Sequence, residues 1–151
     1  MSLRFSPNPF RDSLRLSQLL LDTWDQASDA DLKPLLAALS KQSVHFTTSE
    51  QAWTPLMVLC GLSGAAGFED GIRKCIELGA DIEAKDNDGW TPLHWTAFHG
   101  NATAAKVLCE IGGIEKKDLN KKDGEGKDVR TLAEEEGNQE VWETISKTLA
   151  L

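Results

Sequence analysis

Hydrophobic residues near the start of the chain recur at the spacing of two amphipathic helices. The first apolar stripe runs over residues 11–26. The second has the i, i+3, i+4, i+7 spacing of one helix face and consists of Leu32, Leu35, Leu36 and Leu39. Asp31 is the expected N-cap of this second helix, which places Pro34 in the first turn, where its missing N–H is harmless. The pattern predicts a helix pair within residues 11–48.

A repeated tetrad opens the next two helix pairs. The sequence Trp53-Thr54-Pro55-Leu56 returns 37 residues later as Trp90-Thr91-Pro92-Leu93. In each copy we expect the threonine to be the N-cap and the proline the first helical residue, because proline presets φ where no N–H is needed. Self-similarity at a period of a few tens of residues indicates a stacked-repeat architecture.

A more degenerate unit closes the chain. Asp128 takes the N-cap place of the threonine, and Val129 replaces the proline. The inward stripe of the last helix is expected to consist of Val141, Trp142, Ile145 and Leu149. We therefore predict one domain over residues 1–151. Its expected parts are a lead-in arm (1–10), an N-terminal capping helix pair (11–48), two repeats (49–85 and 86–122) and a C-terminal capping repeat (123–151).

Residues 88–94, with Ala97, Gly100 and Gly112, resemble the ankyrin repeat, and residues 79–86 look like the hairpin between two such repeats. The resemblance implies an all-α ankyrin-repeat solenoid of about four helix-turn-helix units, with short hairpin loops and degenerate capping units at both ends. It also implies that His94 is a structural histidine that ties the start of its helix to adjacent turns. Met57 stands at the equivalent place, so we expect the second unit to lack that hydrogen bonding.

The repeats of this chain are longer than the family's period. Thr54 to Thr91 and Gly89 to Gly126 both span 37 residues, against roughly 33 in ankyrin repeats. We place the first excess in the glycine-rich stretch 61–67 between two helices. The second excess is expected around residues 114–118, where it lengthens a hairpin.

Composition excludes several classes of function. The net charge of −8 disfavours nucleic-acid binding, since the chain has no basic stripe to neutralise phosphates. No segment approaches the roughly 18 apolar residues of a membrane span. Three widely spaced cysteines, none of them in a CxxC pair, indicate a reducing compartment without disulfides. We expect a cytoplasmic protein, with the nucleus as the alternative.

No pattern of catalytic or metal-binding residues is evident. His45 and His99 lie in unrelated units, and no serine or cysteine is placed beside either as a nucleophile. Residues 86–89 lack the acidic positions of a calcium loop, because Ala84 and Trp95 stand where it needs carboxylates. We predict neither an enzyme nor a site for a cofactor or metal.

The resemblance implies that partners dock on the hairpin tips and on the first helix of each unit. The candidate partner-binding residues are Trp53, Met57, Asn87, Asp88, Trp90, Trp95, Phe98, His99, Glu135 and Glu136. Two readings of Trp53 and Trp90 stay open, partner contact or packing on the neighbouring turn. The acidic residues of the hairpin at 81–88 and of the segment 134–136 likewise have two interpretations: they steer a basic partner, or they serve as solvated surface.

The expected function is that of an intracellular protein–protein interaction module, a scaffold or adaptor. It would bind a protein or peptide of basic character through the central repeats, and would act as a monomer. The alternative is a structural or assembly protein that self-associates through its N-terminal helices. Residues 1–24 carry more apolar side chains than a capping unit needs, namely Leu3, Phe5, Phe10, Leu14 and Leu21. An enzymatic pocket at residues 61–67 is a distant third hypothesis.

Overall fold

The computed structural model describes residues 8–151, except for the side chains of Pro9 and Phe10, and this part of the chain is helical without strands. The predicted all-α fold is confirmed. The apolar side chains of Leu3, Phe5 and Phe10 lie outside the described set. The α-helices are α1 (Pro9–Gln26), α2 (Lys33–Ala38), α3 (Pro55–Cys60), α4 (Phe68–Glu77), α5 (Pro92–His99), α6 (Ala102–Ile111), α7 (Val129–Glu135) and α8 (Gln139–Thr148).

The helices pack as successive pairs in two rows. Helices α1, α3, α5 and α7 follow one another in the inner row, and α4, α6 and α8 form the outer row. The core lies between the rows and contains fully buried side chains of both, among them Leu56, Ile72, Leu108 and Ile145. Because each pair buries its apolar face against its neighbours, the array is stabilised by contacts between pairs. Among the described residues, no helix is long and apolar enough to cross a membrane.

Three of the predicted helix starts are confirmed. The Oγ1 atom of Thr54 accepts a hydrogen bond from the N–H of Met57 at 3.2 Å. Thr91 Oγ1 accepts one from the N–H of His94 at 3.4 Å. Asp128 Oδ1 accepts the N–H of Thr131 at 2.8 Å. Each cap satisfies a backbone donor that the first helical turn leaves without a partner.

The first helix pair departs from the prediction at two places. Helix α1 begins at Pro9 rather than near residue 11. The N-cap of α2 is Leu32, whose side chain makes no capping bond, and not Asp31. Asp31 lies one position earlier and accepts the N–H of Lys33 at 3.1 Å through Oδ1. The side chain of Leu32 is only 2% exposed. We attribute the position of the helix start to this burial, which outweighs the capping preference of Asp31.

Short hairpin loops precede α3, α5 and α7 and stack on one another. They comprise residues 48–53, 86–90 and 123–127, each closed by backbone hydrogen bonds. The N–H of Asn87 donates to the carbonyl of Gln51 at 3.0 Å, and the N–H of Gly124 donates to that of Asp88 at 2.8 Å. Backbone bonds thus run from each loop to the next and hold the three tips against one another.

The two extra segments have different structures. Residues 61–67 form the turn between α3 and α4. The second excess contains a 3-10 turn, Lys116–Asn120. Within it Asp118 accepts the N–H of Glu115 at 2.8 Å, and Lys121 forms ion pairs with Asp118 and with Glu83. This segment is therefore folded onto the connection that precedes it.

Candidate partner-binding groove

An open groove of about 630 Å³ lies among α5, α7 and the hairpin loops at 86–90 and 123–127. We name it the α5–α7 groove. Its apolar lining consists of Trp90, Phe98 and Leu132. Its charged lining consists of Asp88, Asp123, Glu125, Glu136 and Lys127. The groove combines an apolar wall with a mainly acidic rim.

The apolar wall is built from two rings in contact. The ring centroids of Trp90 and Phe98 are 4.7 Å apart, and the ring planes are inclined by 42°. The indole Nε1 of Trp90 donates to Asp123 Oδ2 at 3.0 Å, which fixes the ring in place. Leu132 of α7 is 2% exposed and forms the adjoining floor. The wall is therefore ordered without a partner.

Asp86 and Asp123 hold the loops that carry this wall. Asp86 Oδ1 accepts the N–H groups of Asp88 and Trp90, each at 2.9 Å. Asp123 Oδ1 accepts those of Glu125 and Lys127, also at 2.9 Å. Burial raises the pKa of Asp86 above its ordinary value despite these bonds. Burial acts in the same direction at Asp123, but there the hydrogen bonds outweigh it and the pKa is lowered.

The rim contains paired and unpaired charges. Lys127 Nζ lies 2.7 Å from Glu135 Oε2 and 3.1 Å from Glu125 Oε2. Hydrogen bonds from this ammonium to Glu135 and Glu125 raise the pKa of Lys127 above its ordinary value. Within the described part of the chain, the carboxylates of Asp88 and Glu136 make neither a hydrogen bond nor an ion pair. These two retain their full capacity to accept hydrogen bonds.

The groove wall continues into a larger aromatic cluster, which consists of Trp24, Trp53, Trp90, Trp95, Phe98 and His99. Trp24 of α1 contacts His99 at 5.0 Å and Trp53 at 5.8 Å between ring centroids. Trp53 and Trp95 meet edge to face at 5.2 Å. Burial lowers the pKa of His99 in this setting. The cluster joins α1, the hairpin loops before α3 and α5, and α5 itself.

The structure brings half of the sequence-predicted site together. The candidates that line the groove are Asn87, Asp88, Trp90, Phe98 and Glu136. Glu135 lies at its edge through the ion pair with Lys127. Trp53 and His99 are half-buried in the aromatic cluster. A partner-binding role for these residues stays a prediction.

Two candidates need correction. Met57 is 0% exposed and Trp95 is 2% exposed, so neither side chain offers contact surface. The short helices α3 and α5 are covered from both rows, and nearly all their residues are buried. Trp95 Nε1 donates to Asp86 Oδ2 at 3.0 Å. Both side chains therefore support the site from within.

His94 has the structural role that the resemblance implied. Its Nδ1 lies 2.8 Å from Thr91 Oγ1, and its Nε2 lies 3.2 Å from the carbonyl of Lys127. Burial lowers its pKa. The expectation that the second unit lacks this bonding was only partly right, because the sulfur of Met57 accepts the N–H of Thr54 at 3.4 Å. Met57 reproduces the local bond but not the one to the next loop.

Sequence reasoning missed three residues of this region. Trp24 lies in a helix pair without a recognisable repeat motif, and nothing in the sequence placed it against the central repeats. Asp123 could have been found, because it stands 37 residues after Asp86. Leu132 belongs to the degenerate C-terminal unit, and nothing in the sequence placed it on the groove.

The described residues offer little for nucleophilic or metal chemistry. Cys60, Cys75 and Cys109 are buried and unpaired. Burial raises the pKa of Cys75 to about 12 and that of Cys109 to about 11, which disfavours the reactive thiolate. Among residues 8–151 as described, no group of three or more histidines, cysteines and acids is arranged to hold a metal ion.

Comparison with known proteins gives one family. A family profile for ankyrin repeats, in three copies, matches residues 16–123 and 62–148. A chain in the crystal structure of the yeast ribosomal protein Rps3 in complex with its chaperone Yar1 is similar in fold. Its TM-score is 0.70 at 22% identity, over 92% of this chain and 95% of that one.

Similar sequences occur in short parts of larger proteins. The Medicago truncatula protein VAPYRIN-LIKE is 47% identical over 36 residues, which are 24% of this chain and 8% of the relative. Mouse protein phosphatase 1 regulatory subunit 12A is 34% identical over 59 residues, 36% of this chain and 6% of the relative. The potassium channel AKT1 of Oryza sativa subsp. indica is 36% identical over 70 residues, 46% of this chain and 7% of the relative. The chain thus spans less than a tenth of these relatives.

Proposed function

Because this chain belongs to the ankyrin-repeat family, we propose that it is a protein-interaction module whose partner docks in the α5–α7 groove. One observation carries the proposal. An aromatic wall, Trp90 on Phe98, stands in an open groove and is fixed by a bond to Asp123 of the next hairpin loop. Aromatic side chains in such settings contribute much of the energy of protein interfaces.

The wall is suited to binding because it is already ordered. A side chain that must be immobilised on docking costs about 0.5–1.5 kcal/mol, and the hydrogen bond of Trp90 has met much of that cost in the free protein. The hairpin tips beside it are held by backbone bonds between loops. A partner therefore meets a preformed face of loops and inner helices.

The partner that suits this face is a protein or peptide of basic character. The chain carries a net charge of −8, and four carboxylates but one ammonium line the groove. Complementary charge steers a partner onto its site and raises the association rate. Relatives as different as a phosphatase regulatory subunit and a potassium channel share the repeat but no reaction, which supports binding rather than catalysis.

Affinity capture with matched variants tests the proposal. The wild-type protein and a Phe98→Ala variant would be used as baits in a cell lysate, and the captured proteins identified by mass spectrometry. Phe68→Ala is the control, because Phe68 is another half-buried phenylalanine but begins the outer-row helix α4. We expect proteins that wild type and Phe68→Ala capture and Phe98→Ala does not. Identical captures by all three baits would show that the groove is not the binding face.

We further propose a cytoplasmic location and a monomeric state for this module. The buried, unpaired cysteines are compatible with a reducing compartment. Imaging of a fluorescently tagged full chain in cells tests the location, with nuclear accumulation as the contrary result.

Self-association through α1 is the second candidate function. Leu14 is 57% exposed. Two grooves flank the N-terminal half of α1, with volumes of about 600 and 410 Å³, and Phe46 lines both. Sedimentation over a range of concentrations tests this function. Dimers that Leu14→Ser abolishes would support it, and a monomer at every concentration would exclude it.

A further inference from the structure

We infer that the anchor of the docked partner is an arginine side chain, which lies on the Trp90–Phe98 wall and pairs with Asp88 and Glu136. This inference rests on the proposed function and specifies the chemistry of the occupant. It follows from which side chains of the groove already have a hydrogen-bond or ion-pair partner in the protein and which do not.

The aromatic wall offers ring surface rather than a polar edge. The N–H of Trp90 is taken by Asp123, so a partner meets the apolar rings. A cation within about 6 Å of an indole or phenyl centroid is attracted by the ring quadrupole, and tryptophan gives the strongest attraction. The wall is thus suited to an apolar or a cationic side chain.

The surrounding carboxylates favour a cationic over an apolar side chain of the partner. Asp123 already accepts three hydrogen bonds, and Glu125 and Glu135 share the ammonium of Lys127. Asp88, in the hairpin loop, and Glu136, at the end of α7, have no such partner. An apolar occupant would desolvate these two charges without compensation, whereas a cation would pair with them.

The groove already holds one cation in this way. Lys127 belongs to its lining, and its ammonium lies between two carboxylates. Carboxylates at this rim thus pair with a basic side chain of the protein itself. Lys127 forms ion pairs with Glu125 and Glu135. The carboxylates of Asp88 and Glu136 are therefore available to pair with a second cation.

The same chain shows how a guanidinium combines both contacts. The Cζ of Arg130 lies 5.5 Å from the centroid of the Trp142 ring, and its Nε donates to Glu134 Oε1 at 2.9 Å. Indole, guanidinium and glutamate thus form one assembly on α7 and α8. A planar, weakly hydrated guanidinium stacks on rings and bridges carboxylates better than an ammonium does. Arginine is therefore the favoured anchor over lysine.

An NMR titration tests the anchor directly. The probes are N-acetyl-arginine methylamide and its citrulline counterpart, which has nearly the same shape but no charge. We expect the arginine probe to shift the indole N–H signal of Trp90 saturably, with a dissociation constant on the order of millimolar. The citrulline probe should bind at least about tenfold more weakly. The Trp142 signal is the internal control, because its ring already carries Arg130.

Charge-neutralising variants locate the site. Asp88→Asn and Glu136→Gln should each weaken arginine binding by about threefold to tenfold. Glu143→Gln removes an exposed glutamate of α8 that does not line the groove, and should leave binding unchanged. No saturable shift at Trp90, equal binding of citrulline, or indifference to both groove variants would overturn the inference.

The two proposals fail separately. Lysate capture that is lost in Phe98→Ala but retained in the Asp88→Asn, Glu136→Gln double variant would keep the groove as the binding face and exclude the cationic anchor. Loss in both variants, with Phe68→Ala unaffected, supports both proposals. Circular dichroism of each variant confirms that the helices are intact.

Discussion

The indole nitrogen of Trp90 donates a hydrogen bond to Asp123 Oδ2, 33 positions later in the chain and 3.0 Å away. The bond joins the loop before α5 to the loop before α7. It therefore fixes the groove wall and couples two neighbouring helix pairs at once. A single polar contact here serves both the stability of the array and the order of the proposed binding face.

Trp90→Phe should lower the free energy of unfolding by about 1 kcal/mol, because it removes the donor but keeps a ring against Phe98. Urea unfolding followed by circular dichroism measures the change. Trp142→Phe is the matched control, since the indole N–H of Trp142 makes no hydrogen bond in the described part of the chain. Equal effects of the two substitutions would show that the bond to Asp123 contributes nothing beyond ring packing.

Asn101 has two functions that substitution separates. Its Oδ1 accepts the N–H of Ala104 at 3.1 Å as the cap of α6, and its Nδ2 donates to the carbonyl of Cys60 at 2.9 Å. Asn101→Ala should cost about 2–3 kcal/mol, the sum of a lost cap and an unpaired buried carbonyl. Asn101→Ser keeps a cap and should cost about 1 kcal/mol less. Chemical denaturation of the three proteins tests this order, and equal stabilities of Ser and Ala would refute the capping role.

Gly61 is required by the ring of Trp24. A Cβ at this position would lie 2.5 Å from Cζ3 of Trp24 and 3.2 Å from Cε3 of Trp95. The backbone φ of −90° would itself accept alanine. Gly61→Ala should therefore destabilise the fold by about 1–3 kcal/mol through overpacking alone. Trp24→Leu in the same chain should recover part of that loss in a double-mutant cycle, and strictly additive effects would contradict the contact.

Stability should fall as the pH decreases below about 6.5, the ordinary pKa of histidine. Burial lowers the pKa of both His94 and His99 in the folded protein. Over the interval between the lowered and the ordinary pKa, the unfolded chain binds more protons, so unfolding becomes more favourable as pH falls. Their contribution is complete above the unfolded pKa. Urea midpoints between about pH 7.5 and pH 5 measure the slope.

His94→Met assigns part of this pH dependence. Methionine occupies the equivalent place in the preceding repeat, where its sulfur accepts the N–H of Thr54. The variant should lose about 1 kcal/mol at neutral pH, because the bond to the Lys127 carbonyl is gone. It should also show a shallower slope than wild type. If the slope of stability against pH were unchanged in both His94→Met and His99→Gln, the burial of these histidines would not govern the loss of stability in acid.

The sequence was informative where structure is local. Thr54, Thr91 and Asp128 cap their helices as predicted, because a cap and its partner lie three residues apart. The start of α2 was misplaced because burial of Leu32 outweighs the capping preference of Asp31. Local preference predicts a helix start only when packing does not oppose it.

The groove was less predictable because it depends on contacts between units. Met57 and Trp95 were expected to face a partner, but both are buried. The rings of Trp24 and Trp53 pack on Trp95, so its burial follows from stacking between units rather than from helix periodicity. Trp24 reaches His99 only because α1 packs on α3. Asp88, Trp90 and Phe98 were identified from the repeat motif and do line one groove.

The aromatic cluster also makes the protein its own optical probe. The chain has five tryptophans and no tyrosine, and four of the indoles touch one another across α1, the loops at 48–53 and 86–90, and α5. Most near-ultraviolet light is thus absorbed by one group of rings, close enough to exchange excitation. Separation of α1 from the other helices would shift the wavelength of the tryptophan fluorescence emission, even if every helix stayed intact.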